Sequence, residues 1–211
     1  MTQEEKTLTP KKLYRKGSTS SDEMVDVLAS KASVERRVGS SPTLRTNSDC
    51  MLKVLEFPMR EQKYDFDCSV AAGWSLLKYC KIKVDYNTIL KASKVCPVDG
   101  LSPIKLVNLL KKFGLNVSLK ERTNIRFLKG QIKADKPIIL LLQHRKEYRK
   151  SWKNTWIYGH YAVLFGYDEK RLFLYNPSIG GIKVLTYDQL NNRWHDDWNG
   201  GEFIKTAIVI D

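Results

Sequence analysis

Cys68 is the residue of this sequence whose position best suits a thiol nucleophile. It opens an apolar run over residues 68–79 that predicts the buried first turns of a helix. Backbone N–H groups at a helix start have no internal partner and carry partial positive charge, so a cysteine there has its thiolate favoured over its thiol. An isolated cysteine that simply packs as a small apolar side chain is the inert alternative.

Three further side chains supply the other groups of an acyl-transfer site. Gln62 lies six positions before Cys68, and its amide can join the Cys68 N–H in holding the oxyanion that forms when a thiolate attacks a carbonyl. His160 begins a strand-like run and Asn176 ends the next one. A cysteine, a histidine and an asparagine in this order are the parts of a papain-type site.

Local patterns predict the elements that must position these groups. Helices are expected at Cys68–Lys78, Tyr86–Lys94, 103–113, Ile125–Ile132 and Tyr187–Trp194, the third with Ser102 as N-cap, proline at its first position and a terminating glycine. Strands are expected at Leu115–Lys120, 137–142, Tyr161–Tyr167, Leu172–Tyr175, Ile182–Thr186 and Thr206–Ile210, and a turn at residues 180–181. Helices first and an antiparallel sheet second is the α+β pattern.

The composition changes near residue 50. Residues 1–50 are polar, with a single aromatic residue, and leave too little apolar surface to offset the entropy of ordering. We predict a disordered polar and basic arm at 1–50 and one folded domain at 51–211. Within the arm, residues 21–32 have the spacing of a short helix that would form against a partner.

The net charge of +13 raises the question of the partner. The arm holds nine of the 36 lysine and arginine residues and seven of the 23 acidic residues, so the excess belongs to the folded part. No zinc-finger, RRM or helix-turn-helix signature accompanies this charge, which argues against nucleic acid. An acidic peptide or protein partner and simple solubility remain open explanations.

The cysteine pattern and the hydropathy argue against metal-binding, disulfide-rich and membrane-spanning proteins. The four cysteines form no CxxC pair and no cluster at zinc spacing, so we expect no metal, no cofactor and no disulfide framework. No stretch reaches the roughly 20 apolar residues of a membrane span, and the charged first residues lack the centre of a secretory signal. These features predict a soluble, cytoplasmic protein, and they leave its oligomeric state open.

Four segments of the sequence resemble the bacteriocin-processing, double-glycine-type peptidases, which are papain-like cysteine peptidases. The segments are 62–72, 100–115, 159–168 and 175–181, and the similarity covers about residues 55–211. The resemblance implies a papain-like fold, with an N-terminal helical lobe packed on a C-terminal antiparallel β-sheet, and cleavage of a peptide or protein substrate after small residues such as paired glycines. It also implies a role for each candidate residue: Gln62 as oxyanion-hole donor and Cys68 as nucleophile. His160 would be the general base, and Asn176 would orient His160.

The sequence departs from the family pattern at two positions. Ser69 stands where the family has glycine, and its hydroxymethyl group is expected to narrow the approach to the nucleophile. Asn176 stands where the family has aspartate, and it can orient the histidine without supplying a charge. A papain-like deamidase or acyltransferase and an inactive peptide-binding relative are therefore kept as alternatives.

Two other histidines compete with His160 for the role of base. His144 lies in a charged run that predicts a solvated side chain, and His195 is expected to cap or pack near a helix end. Neither begins a strand after a glycine, as His160 does. Trp152, Trp156, Trp194 and Trp198 are candidates either for the cleft lining or for the core.

Overall fold

A computed structural model describes residues 52–211 of the protein, and the predicted arm at 1–50 lies outside this range. Its helices are α1 (Cys68–Tyr79), α2 (Tyr86–Ser93), α3 (Pro103–Lys112), α4 (Ile125–Lys133) and α5 (Tyr187–Asn191). Its strands are β1 (Lys53–Val54), β2 (Val117–Lys120), β3 (Ile138–Gln143), β4 (Gly159–Tyr167), β5 (Arg171–Asn176), β6 (Gly181–Thr186), β7 (His195–Trp198), β8 (Gly201–Ile204) and β9 (Ala207–Ile210). None of the helices in 52–211 is long and apolar enough to cross a membrane.

The strands form one large antiparallel sheet and one small one. The large sheet has the order β2-β9-β3-β4-β5-β6, with β1 paired to the end of β4. The hairpin β7-β8 forms the second sheet. The α+β prediction is confirmed, and strands β3, β4 and β5 lie side by side in the centre.

Helices α1 to α4 begin and end within one residue of their predicted bounds. The Ser102 side chain accepts a hydrogen bond from the Lys105 N–H at the start of α3, and Pro103 occupies the first turn. Gly114 follows with a φ of +84°, a conformation that costs glycine little. The predicted helix at Tyr187–Trp194 is shorter than expected, because the chain leaves α5 at Asn191 and enters β7 at His195.

The helix α1 is the buried element that carries Cys68. Its side chains at Val70, Leu76 and Leu77 are fully buried, and the helix packs against β4, α2 and α3. Gly73 allows α3 to approach closely, because a Cβ at this position would lie 3.2 Å from a Leu106 methyl carbon. Removing a buried leucine side chain from such a core costs about 2–5 kcal/mol, so the start of α1 is fixed relative to the sheet.

Candidate active site

Asp67 organises the loop that leads into α1. Its buried carboxylate accepts hydrogen bonds from the Tyr64 N–H at 3.0 Å and from the Tyr86 hydroxyl at 2.9 Å, and a longer one from the Lys63 N–H at 3.3 Å. It does not cap α1 with its side chain. The carboxylate instead ties the loop before Cys68 to the start of α2, which fixes where the helix begins.

Cys68 is the first residue of α1 and is partly exposed. Burial of the thiol raises its pKa to about 11, and the nearby carboxylates of Asp67 and Asp196 act in the same direction. The backbone N–H groups of Tyr161 and Ser69 act in the opposite direction and lower the pKa of the thiol in part. The expectation that the helix start would favour the thiolate is therefore wrong for the resting protein, because desolvation outweighs these donors.

His160 and Asn176 meet at the ends of neighbouring strands. His160 Nε2 lies 2.7 Å from Asn176 Oδ1, and both residues are buried. The same oxygen accepts from the Ser178 N–H at 3.1 Å and from the Ser178 hydroxyl at 2.9 Å. Since an amide oxygen only accepts, the neutral imidazole carries its proton on Nε2, and its Nδ1 keeps a free lone pair.

His160 is packed among groups that oppose its protonation. Its ring centroid lies 4.6 Å from that of His144, and both rings line a cavity of about 10 Å³ together with Asn176 and Lys183. Burial lowers the pKa of His160 to about 3, with further lowering by His144 and Lys183 and a partial rise from the Asn176 hydrogen bond. The imidazole is therefore neutral at neutral pH.

His144 is not the solvated side chain that its charged neighbourhood predicted. It is half-buried over His160, and burial lowers its pKa to about 4, assisted by Lys183, Arg145 and Arg193. Its backbone N–H donates to the Tyr158 carbonyl at 2.8 Å. The prediction failed because the chain folds back at residue 158, a tertiary contact that periodicity does not reveal.

Gln62 lies beside the Asn176 turn. Its backbone N–H donates to the Pro177 carbonyl at 2.9 Å, and its side-chain Nε2 donates to the Tyr64 carbonyl at 2.7 Å. Its Oε1 is buried and accepts no hydrogen bond from the part of the chain that the structure describes. The structure thus places Gln62 next to Asn176 and Pro177.

Asp196 lies next to Gly159, the residue before His160. Its carboxylate accepts from Gln143 Nε2 at 2.8 Å and is 5% exposed. A Cβ at Gly159 would lie 1.9 Å from Asp196 Oδ2, so any side chain here would have to displace the buried Asp196 carboxylate. Sequence reasoning missed Asp196, and the adjacent acidic pair at 196–197 gave no sign that one of the two is buried.

The remaining predicted residues take other places. His195 is buried at the start of β7, where Nε2 lies 2.9 Å from the Thr155 carbonyl and the ring packs on Trp156, so it caps no helix. Trp194 belongs to the core, with 1% exposure. Ser69 is fully buried, so its hydroxymethyl group points into the protein and does not line an open approach to Cys68. Among residues 52–211, no cluster of His, Cys, Asp or Glu has the arrangement of a metal site.

The architecture is that of a papain-like cysteine peptidase, with a cysteine at a helix start packed against the histidine strand of an antiparallel sheet. The family model of the peptidase C39 family matches residues 56–197. The chain therefore belongs to the peptidase C39 family, which confirms the resemblance seen in the sequence.

Solved structures of similar fold include other members of this group. A C39-like peptidase from Bacillus anthracis has a TM-score of 0.60 and 18% identity, with 75% of this chain and 97% of that chain covered. The peptidase domain of Streptococcus ComA, a bifunctional ABC transporter involved in a quorum-sensing pathway, has a TM-score of 0.53 and 18% identity over 72% of this chain and 96% of that one. A double glycine motif protease from an AMS/PCAT transporter, solved with its leader peptide, has a TM-score of 0.48 and 15% identity over 74% and 91% of the two chains. A search of curated protein sequences gave no match.

Proposed function

We propose that this protein hydrolyses peptide bonds through a thioester acyl-enzyme, with Cys68 as nucleophile and His160 as general base. The observation that carries the proposal is the 2.7 Å contact between His160 Nε2 and Asn176 Oδ1. This contact fixes the tautomer and leaves Nδ1 as a proton acceptor, which is the arrangement that a thiol nucleophile requires.

The position of the sulfur supports the pairing of Cys68 with His160. The Tyr161 backbone N–H lies near enough to the Cys68 thiol to lower its pKa, and Tyr161 directly follows His160 in β4. In the proposed reaction, Nδ1 of His160 takes the thiol proton as the sulfur forms a bond to the substrate carbonyl carbon. His160 then gives this proton to the leaving amine, and water activated by His160 releases the acid and restores the thiol.

The oxyanion of the tetrahedral intermediate needs donors that are already in place. The Gln62 amide uses one N–H for the Tyr64 carbonyl, and the second has no partner among residues 52–211. We assign this second N–H and the Cys68 backbone N–H to the oxyanion.

The free enzyme holds a neutral thiol and a neutral imidazole. The pKa of Cys68 is raised to about 11 and that of His160 is lowered to about 3, mainly because both groups are desolvated. Asn176 orients the His160 ring but supplies no charge. We therefore infer that the thiol proton moves to His160 as the sulfur attacks the substrate, and that no thiolate–imidazolium pair forms beforehand. Since the neutral pair is the reactive form, activity is then expected to be nearly independent of pH from pH 6 to pH 9.

A peptide library that contains sequences with paired glycines tests the proposed function. We expect Cys68→Ala and His160→Ala to abolish cleavage and Asn176→Ala to retain part of it. Cys80→Ala is the matched control, since Cys80 is a half-buried cysteine at the other end of α1, and it should remain active. Cleavage that survives Cys68→Ala contradicts the mechanism, whereas ammonia release from glutamine or asparagine side chains without cleavage would show a deamidase.

A further inference from the structure

The segment 144–158 connects two strands that are direct neighbours in the sheet. Adjacent antiparallel strands need only two to five residues to connect them. Here β3 ends at Gln143 and β4 begins at Gly159, so the connection spans 15 residues, which we call the 144–158 loop. Its only regular element is the short 3-10 turn Trp152–Asn154. A connection of this length within a compact domain usually serves a function.

The 144–158 loop is held in one shape by its own hydrogen bonds. The Thr155 hydroxyl accepts from the Glu147 N–H at 3.1 Å and donates to the Ser151 carbonyl at 2.9 Å. The two ends of the loop are joined by the bond from the His144 N–H to the Tyr158 carbonyl at 2.8 Å. Its surface is therefore preformed, which reduces the entropy lost when a ligand binds.

Two contacts attach the 144–158 loop to the rest of the site. Trp156 packs on His195 with ring centroids 4.4 Å apart, and Trp152 lies under the Arg193 guanidinium at 3.6 Å. Because the loop runs through Gly159 directly into His160, its surface borders the histidine side of the site.

The outward surface of this loop is strongly cationic. It carries one acidic residue, Glu147, which pairs with Lys150 at 2.8 Å. The other four cationic side chains of the loop are exposed and are Arg145, Lys146, Arg149 and Lys153. Tyr148 is 82% exposed beneath the Arg149 guanidinium. Across the cavity, the Lys183 ammonium is half-buried and forms no hydrogen bond or ion pair with residues 52–211.

The nucleophile side of the site has the opposite charge. The Asp67 carboxylate is close enough to act on Cys68, while Lys183 acts on His144 and His160. The Asp196 carboxylate beside Gly159 is 5% exposed and is bound by Gln143. His160 protonates the leaving amine in the proposed reaction, so the chain that follows the scissile bond leaves past His160. A negative charge in that part of the substrate would meet the exposed cations of the 144–158 loop, since the Asp67 and Asp196 carboxylates are buried.

We propose that the 144–158 loop and Lys183 bind an acidic segment of the substrate on the C-terminal side of the scissile bond. This inference rests on the proposed function, because that function sets the direction in which the substrate crosses the site. The favoured ligand is a peptide and not a nucleic acid, since the cationic surface is continuous with a site built for acyl transfer. Three matched exposed charge pairs correspond to a preference of about 3- to 150-fold.

Binding to the Cys68→Ala protein tests this proposal without requiring turnover. The probes are three fluorescein-labelled peptides with a common Gly-Gly core followed by four acidic, four neutral amide or four basic residues, measured by anisotropy at 50 and 200 mM salt. We expect the acidic peptide to bind at least about threefold more tightly than the neutral one, with a preference that falls as salt rises. A fourth peptide with the acidic residues before the core is expected to lose this preference.

Two triple variants locate the binding surface. Lys146→Gln, Arg149→Gln and Lys153→Gln together should remove the preference for the acidic peptide. The matched control removes three exposed lysines of α3, Lys105→Gln, Lys111→Gln and Lys112→Gln, two of which line a separate groove of about 300 Å³. The control should retain the preference, and its loss there would overturn the assignment to the 144–158 loop.

The remaining outcomes separate this inference from the proposed function. Cleavage by the unmutated protein with no difference between acidic and neutral peptides overturns the loop proposal and leaves the peptidase function intact. Binding of the acidic peptide at the loop without any cleavage supports the binding surface and overturns the peptidase function. A single-stranded RNA 12-mer that binds more tightly than the acidic peptide, and does so through the same three cations, would show a nucleic-acid surface and overturn the proposal.

Discussion

Replacing Asn176 with aspartate should convert the neutral resting pair into a partly ionised one. Asn176 Oδ1 lies 2.7 Å from His160 Nε2 and also accepts two hydrogen bonds from Ser178, so the position already has the surroundings of a carboxylate. Aspartate has nearly the same shape, and Lys183 in the same cavity would favour its charge. The substitution therefore changes the electrostatics of His160 and leaves the packing unaltered.

The size of the effect follows from the distance. A carboxylate in direct contact with an imidazole raises the pKa of the imidazole by about 1–3 units, each worth about 1.4 kcal/mol. Two unit charges about 4 Å apart attract by about 4 kcal/mol at an effective dielectric constant of about 20, which sets the upper limit. Because His144 and Lys183 still oppose protonation of His160, we expect the lower part of this range, with about 10- to 100-fold more thiolate–imidazolium pair.

Alkylation of Cys68 by iodoacetamide measures this change directly, because only the thiolate reacts. The rate at Cys68 is followed by mass spectrometry from pH 6 to pH 9, with Cys80 in the same molecule as the internal reference. The pKa of Cys68 is raised to about 11, so the rate in the unmutated protein should increase about tenfold per pH unit over this range. In the Asn176→Asp protein, the rate near pH 7 should be about two- to tenfold higher, because thiolate formed by simple ionisation already contributes to the rate, and it should depend less on pH.

One result would refute the reasoning. If Asn176→Asp leaves the rate at Cys68 unchanged near pH 7, while the circular dichroism and the Cys80 rate match those of the unmutated protein, then His160 does not control the ionisation of Cys68. A plateau between pH 6 and pH 8 in the unmutated protein would likewise show that the resting pair is ionised.

Three further substitutions test the packing around the site. Gly159→Ala should abolish activity and lower the midpoint of thermal unfolding, because the new Cβ would lie 1.9 Å from Asp196 Oδ2. An active variant with an unchanged unfolding midpoint would contradict the close packing at Gly159. Gly130→Ala, on α4 with no atom within 4 Å of the new Cβ, should instead stabilise the protein by about 0.5–1 kcal/mol in urea unfolding, and a loss of stability would show a contact that the structure lacks. Asp67→Ala should cost about 1–3 kcal/mol in the same assay, because the buried Tyr86 hydroxyl and two backbone N–H groups lose their acceptor. It should also speed alkylation of Cys68, because the Asp67 carboxylate raises the pKa of the thiol. Unchanged stability would remove Asp67 from its organising role.

The helices were predictable because their signals are local. The boundaries of α2, α3 and α4 follow from N-cap residues and from apolar spacing within one or two turns. The observed bounds of these three helices lie within two residues of the predicted bounds. The central strands were found for the same reason, since β3 and β4 are buried on both faces and read as apolar runs.

The β7-β8 hairpin and the two-residue strand β1 were not predicted. β7 carries His195, two aspartates and Trp198, a sequence with no alternation and low strand propensity. It forms a strand because it pairs with β8 and because Asp196 is bound by Gln143. Such support comes from residues distant in the chain, so no local pattern reports it.

The sequence alone determined the family, the α+β class and the identity of the candidate groups, because motif spacing, capping and hydrophobic period are properties of neighbouring residues. Tertiary structure alone decided the electrostatics of those groups. The pKa of Cys68 is raised and that of His160 is lowered because burial and residues such as Asp196, His144 and Lys183 act through space. Desolvation and Coulomb interactions depend on distances between atoms that folding brings together, and the order of residues does not contain those distances.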